Sequence, residues 1–176
     1  MIYTSFDRAK KAGACANSYK TFAKHVGSIA KFGKNTPIPL TDILDVLGLD
    51  DTLWCLDYAS DGEDSEKIMR IFACDCAERV LPLFEKVCPN DKRPQEAIAT
   101  ARKFIDGQAN RSELAAAGAA ARDAAWAAAR DAAWAAAGAA AGAAAGAAAG
   151  AAAWAAARAA ERQWQVERFK ELLNTK

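Results

Sequence analysis

The sequence predicts an all-α fold on three observations. Large apolar residues recur at i, i+3 and i+4 through the first 110 residues, and turn-forming glycine and proline punctuate the runs. From Ala115 to Ala160, alanine, the strongest helix former, fills 33 of 46 positions. The expected arrangement is a helical core in residues 1–110, followed in residues 111–176 by a tightly spaced Ala/Gly-rich helical hairpin and a terminal amphipathic helix.

Phe6, Ala9, Ala16, Tyr19, Phe22, Ala23 and Val26 lie near helical spacing, which predicts one helix from Ser5 to about Val26, weakened at Gly13 and ended by Gly27. KFGKNTPIPL (31–40) holds two prolines, a glycine and an asparagine, and reads as an extended, exposed connection. Thr41 is the expected cap of a short helix reaching Leu47, with Gly48 just beyond its end. Asp50 is the expected cap of the next, whose Leu53, Trp54, Cys55 and Leu56 should turn inward. This pair has a helix-turn-helix rhythm, but its second helix is acidic where a base-reading helix needs Arg, Asn or Gln, so it is a structural corner.

SDGED (60–64) reads as a turn. Ile68, Ile71, Phe72, Cys76, Val80, Leu83, Phe84 and Val87 then define the apolar face of a helix from Ser65 to about Val87, which Pro82 should kink. After a loop at 88–94, Pro94 opens a helix carrying Ala97, Ile98, Ala101, Phe104 and Ile105, and Gly107 ends it. Asn110 and Glu113 have capping-box spacing at the head of the alanine tract. Trp164, Val166, Phe169, Leu172 and Leu173 give the last segment, from Glu161, an apolar face that can dock.

The non-alanine residues of the tract keep a beat of four, and ARDAAWAA occurs twice in succession, the mark of growth by duplication. A period-four stripe drifts about 40° per step around a helix, so one straight rod cannot hold it against one partner. Gly142 with Gly146, Gly138 with Gly150, Trp134 with Trp154 and Arg130 with Arg158 are symmetric about Ala144, which predicts a hairpin there in preference to one helix from 111 to 173. Small residues every fourth position would let helices approach closely.

Ala, Gly and Trp supply no catalytic groups, so the tract argues for a binding surface or scaffold and against an enzyme. Arg122, Trp126, Arg130, Trp134, Trp154 and Arg158 are the candidate ligand- or partner-binding residues, because guanidinium beside indole can neutralise a phosphate and stack a base. The plainer use of the tryptophans is to fill gaps against the core while the arginines stay in solvent. Asp57, Asp75, Glu78, Arg79, Asp91 and Arg93 read as ion pairs tying helix 65–87 to the loop 88–94 rather than as an acid–base site.

A net charge of +1 offers no field for duplex DNA or an anionic membrane. The charges at Arg122, Asp123, Arg130, Asp131 and Arg158 argue against a membrane anchor. Five cysteines, an odd number, and an opening MIYTSFDRAKKAG without an apolar stretch suggest reduced thiols in the cytoplasm. Cys74 and Cys76 point about 200° apart on a helix and cannot share a metal, and the one histidine, His25, is remote. No metal or other cofactor is implied.

The stretches GACANSYKTFAKHVG, KFGKNTPIPL, GLDDTLWCL and ACDCAERVLPLFEKVCPNDKRPQEAIATAR, with the alanine-rich tail, together resemble the Imm5-like family of immunity proteins of bacteria and phages. The resemblance runs over nearly the whole chain. It implies an all-helical core and a protein that neutralises a toxin or an immune effector by binding. Together with the Arg and Trp of the tract, this gives as the expected function non-enzymatic sequestration of a protein toxin, a defence effector or a cyclic-nucleotide-like signal, in the host cytoplasm if phage-encoded. A self-associating structural module, mating through its Ala/Gly faces as a homo-oligomer, is the alternative.

Overall fold

The computed structural model describes residues 1–60, 64–139 and 146–174, and within 130–154 the backbone alone. The described residues form helices joined by short connections and one two-residue antiparallel ladder, as an all-α chain should. They divide into two compact units: Met1–Phe72 with Glu161–Lys176, and Ala73–Ala160. That division differs from the expected one at residue 110, because the terminal segment docks with the first 72 residues while residues 73–105 group with the alanine tract.

In the first unit β1 (Tyr3–Thr4) pairs with β2 (Ile38–Pro39), Thr4 opposite Ile38. Ser5 accepts a hydrogen bond from the Arg8 N–H and caps α1 (Phe6–Lys11). The single helix expected over Ser5–Val26 is two, since Gly13 takes φ +86° and α2 starts afresh at Ala16–His25. A short α3 (Ile29–Phe32) follows. The connection expected to be exposed is so only in part: Lys31, Lys34, Asn35 and Pro37 are exposed, whereas Ile38, in the ladder, and Leu40, whose N–H bonds the Ile2 carbonyl, are in the core.

The helices α4 (Leu40–Leu47) and α5 (Leu49–Tyr58) meet at Gly48, whose φ of 87° and ψ of −176° suit glycine alone. Neither expected cap forms. Pro39 and Gly48 occupy the cap positions, and the Thr52 hydroxyl donates to the Gly48 carbonyl at 2.7 Å. Within α5 the buried residues are Leu49, Thr52, Cys55 and Leu56, with Leu53 and Trp54 half-buried.

The helix α6 is Ser65–Val87, continuous through Pro82; α7 is Arg93–Ile105, α8 Arg111–Ala139 and α9 Gly146–Asn174. The turn expected at 60–64 falls partly, and the hairpin reversal near 144 wholly, outside the described residues. Asn110 and Glu113 do form a capping box: Asn110 Oδ1 accepts from the Ser112 and Glu113 N–H groups, and Glu113 Oε2 accepts from the Asn110 N–H. In the second unit, α7 and α8 share the broadest helix–helix contact among the described residues, and Ala124 of α8 is buried.

The terminal part of α9 closes the first unit. Phe169 is 0% exposed, Leu172 and Leu173 are buried, and the Phe169 ring lies 4.9 Å from that of Phe72. Lys170 pairs with Asp45 and Arg162 with Asp50.

Candidate functional site

The outward side of α8 is set by its inward side. Ala117, Ala121, Ala124 and Ala128 recur at helical spacing among the covered positions, so Arg122 and Trp126, one turn apart, fall on the solvent face. Trp126 is 76% exposed, which rules out gap-filling for this indole: alanine methyls suffice to pack α8. Arg122 and Arg158 are exposed as well. The side chains of Arg130, Trp134 and Trp154 lie outside the described residues, so the expected meeting of all six is not on view.

Gly118 bears on why the tract contains glycine. A Cβ built there meets nothing within 4 Å, so this glycine does not mediate close helix approach. Its neighbours on α8 pack by alanine instead.

A second surface lies on α6. Val80, Leu83 and Val87 fall on one face at i, i+3 and i+7, and were expected to point into the core. They are 44%, 64% and 64% exposed. Helical periodicity establishes that such residues share a face and leaves open what lies against it. An apolar stripe in water is a mark of association.

The charged residues do not assemble an acid–base pair. Arg102 of α7 donates through Nε and Nη2 to Glu78 at 3.1 and 2.8 Å and through Nη2 to Asp75 at 2.5 Å, tying α7 to α6. The Glu78 and Asp75 carboxylates hold the Arg102 guanidinium firmly in its charged form. Asp91 pairs with Arg93 inside its own loop, which holds the Asp91 carboxyl below the usual range. Lys92 meets Glu85 of α6 at 3.9 Å, a link from this loop to α6 made by two residues outside the expected set. Sequence reasoning passed over Arg102, though the signal was present: it follows Ile98 by four and precedes Ile105 by three, a cation on an apolar stripe.

His25 is exposed at the end of α2, with its ring 5.8 Å from Phe22, and none of the five cysteines is in a disulfide. Cys15, before α2, has its thiol pulled below the ordinary value by backbone N–H groups of Ser18 and Asn17 and the Ser18 hydroxyl. Burial pushes the Cys55 thiol up to about 11. Among the described residues no cluster of His, Cys, Asp or Glu could hold a metal ion, and no helix is long and apolar enough to cross a membrane.

A family model described as Imm-5 like putative immunity protein matches residues 59–172. The match includes the exposed stripe of α6, Arg102, Trp126 and the docking residue Phe169; it begins after GLDDTLWCL, so the resemblance is narrower than the quoted stretches suggested. No curated protein and no solved structure matches the chain.

Proposed function

The chain belongs to the Imm5-like family of immunity proteins, and from that premise we propose that it works without catalysis, sequestering a protein toxin or defence effector. The observation that carries this reading is the apolar stripe Val80, Leu83 and Val87, exposed on α6 within the matched segment. A few desolvated residues near the centre of an interface supply most of its energy, and near-neutral contacts around them exclude water. Arg122 and Trp126, residue types enriched at such positions, form a second contact on α8. Arg130, Trp134, Trp154 and Arg158 extend the candidate set along the same tract.

The test is co-expression with any toxin that the neighbouring genes encode, scored by growth and by co-purification. Leu83→Asp should abolish protection by costing at least about 2 kcal/mol of binding, roughly thirtyfold in Kd, with the melting temperature unchanged. Full protection by Leu83→Asp together with Trp126→Ala would refute the proposal. A nucleotide-like signal is the second reading, favoured by the exposed indole one turn from an exposed guanidinium. It requires a thermal shift with a cyclic dinucleotide that Trp126→Ala removes.

A further inference from the structure

The first unit contains a cavity that the family match does not reach. It has a volume of about 40 Å³ and lies between the α1–α2 segment and the α4–α5 pair. Phe6, Phe22 and Ile43 form its buried floor. Half-buried Tyr19, Asp51 and Trp54, with exposed Cys15, make its rim.

Size restricts the occupant first. A space of this kind accommodates about three waters, and it is well below the roughly 150 Å³ cavity that encloses a benzene ring. The floor offers a water almost no hydrogen-bond partners. A thin, unbranched apolar chain therefore fits better than an aromatic ring or ordered solvent.

The rim then selects the head group. Asp50 and Asp51 are adjacent in the first turn of α5. Asp50 is taken by Arg162 at 2.6 Å, whereas Asp51 has no hydrogen-bond or ion-pair partner among the described residues. Asp51 lines the cavity together with Cys15 and Cys55. Two electron-rich rings share the rim with it: Tyr19, packed edge-on to Phe6 at 5.2 Å, and Trp54, tilted 31° to Tyr58 at 5.8 Å. A carboxylate beside aromatic faces at the mouth of an apolar pocket is complementary to a cation whose tail is apolar.

We propose that this cavity binds a primary ammonium group carrying a short unbranched apolar chain, with the chain over Phe6, Phe22 and Ile43 and the ammonium at the rim against Asp51, Tyr19 and Trp54. Two sources present this chemistry: a free alkylamine, or the N-terminal residue of a polypeptide, whose α-ammonium stands beside its side chain. The site is independent of the sequestration surface. It lies in residues 4–55, outside the matched 59–172.

The test uses the full chain, followed by ¹H–¹⁵N NMR, with n-butylammonium, n-butanol and butyrate as probes. Butylammonium should shift the amides of Cys15, Tyr19 and Asp51 and the Trp54 indole. It should bind about three- to thirtyfold tighter than butanol, the range expected for a partly exposed ion pair with cation–π contact. Asp51→Asn should erase that preference while leaving butanol binding intact, which also shows that the variant is folded. Saturating butylammonium should slow alkylation of Cys15.

Butanol or butyrate binding as tightly as butylammonium, shifts confined to other residues, or no binding by any probe would overturn the proposal. Norleucine amide and its N-acetyl form separate the sources. The amide binding at least tenfold tighter than butylammonium, with acetylation abolishing the gain, assigns the site to a polypeptide N-terminus. Equal or weaker binding assigns it to a free amine.

Discussion

Replacing Phe169 with alanine tests the closure of the first unit by the end of α9. The side chain is wholly buried and its ring sits 4.9 Å from Phe72 at 52°. Phe→Ala in a packed core costs about 3–5 kcal/mol, the sum of lost transfer energy and the cavity left behind. Roughly 0.5–1.5 kcal/mol of that belongs to the ring pair. At this chain length each kcal/mol lowers the melting temperature by about 2–4 °C, so the expected drop is about 6–20 °C. The flanking ion pairs provide the control. Lys170 Nζ meets Asp45 at 2.7 and 2.9 Å, but both side chains are about half exposed, so Lys170→Ala should cost no more than about 1 kcal/mol. Guanidinium unfolding followed by far-UV circular dichroism and by tryptophan fluorescence gives both numbers. A Phe169→Ala loss below about 1 kcal/mol, or one no larger than that of Lys170→Ala, would show that burial of this helix end does not hold the unit together.

Four further outcomes are expected. Arg102→Ala removes a charged partner from Asp75, whose side chain is only 10% exposed, and should destabilise by about 1–3 kcal/mol in thermal unfolding, with Arg102→Lys recovering part of the loss. Gly118→Ala should stabilise by about 0.5–1 kcal/mol because nothing opposes the added methyl, whereas Gly48→Ala should cost about 1–3 kcal/mol for its backbone conformation alone. With iodoacetamide at neutral pH, peptide mapping should find Cys15 labelled well before Cys55, and the Cys15 rate should level off at lower pH; equal rates would contradict the environments described. Lys11, Arg162 and Arg93 hold the Asp7, Asp50 and Asp91 carboxyls below their ordinary values, so their stabilisation is complete above about pH 4 and disappears as pH falls through the folded values. Acid unfolding midpoints should move upward in Arg162→Ala.

Elements with long, strong periodicity were legible in the sequence to within about a residue. The α6 span Ser65–Val87 follows from its apolar spacing, the start of α7 from Pro94, and the head of α8 from the Asn110–Glu113 pair. Features decided by distant partners were not. Gly13 breaks a run that spacing alone joins, and the ladder that buries Ile38 depends on Tyr3 and Thr4, some 35 residues away. Asp50 has the chemistry of a cap but serves Arg162, a partner more than 100 residues along the chain. Local propensity sees neither pairing.

The candidate site divides along the same line, for a physical reason specific to alanine. A helix whose faces are all methyl groups contains no signal saying which face turns inward, because any of them packs equally well. In α8 the choice falls to the preceding element: the short connection from Ile105 to Arg111 keeps α7 adjacent, and Ala117, Ala121, Ala124 and Ala128 become the covered side. That choice turns Trp126 to solvent. For α6 the ambiguity is the opposite one, since Val80, Leu83 and Val87 announce a face in the sequence without naming its cover. An apolar stripe inside the matched segment that the described fold leaves in water is therefore the strongest pointer to where a partner binds. Its loss should separate binding from stability, as no core variant can.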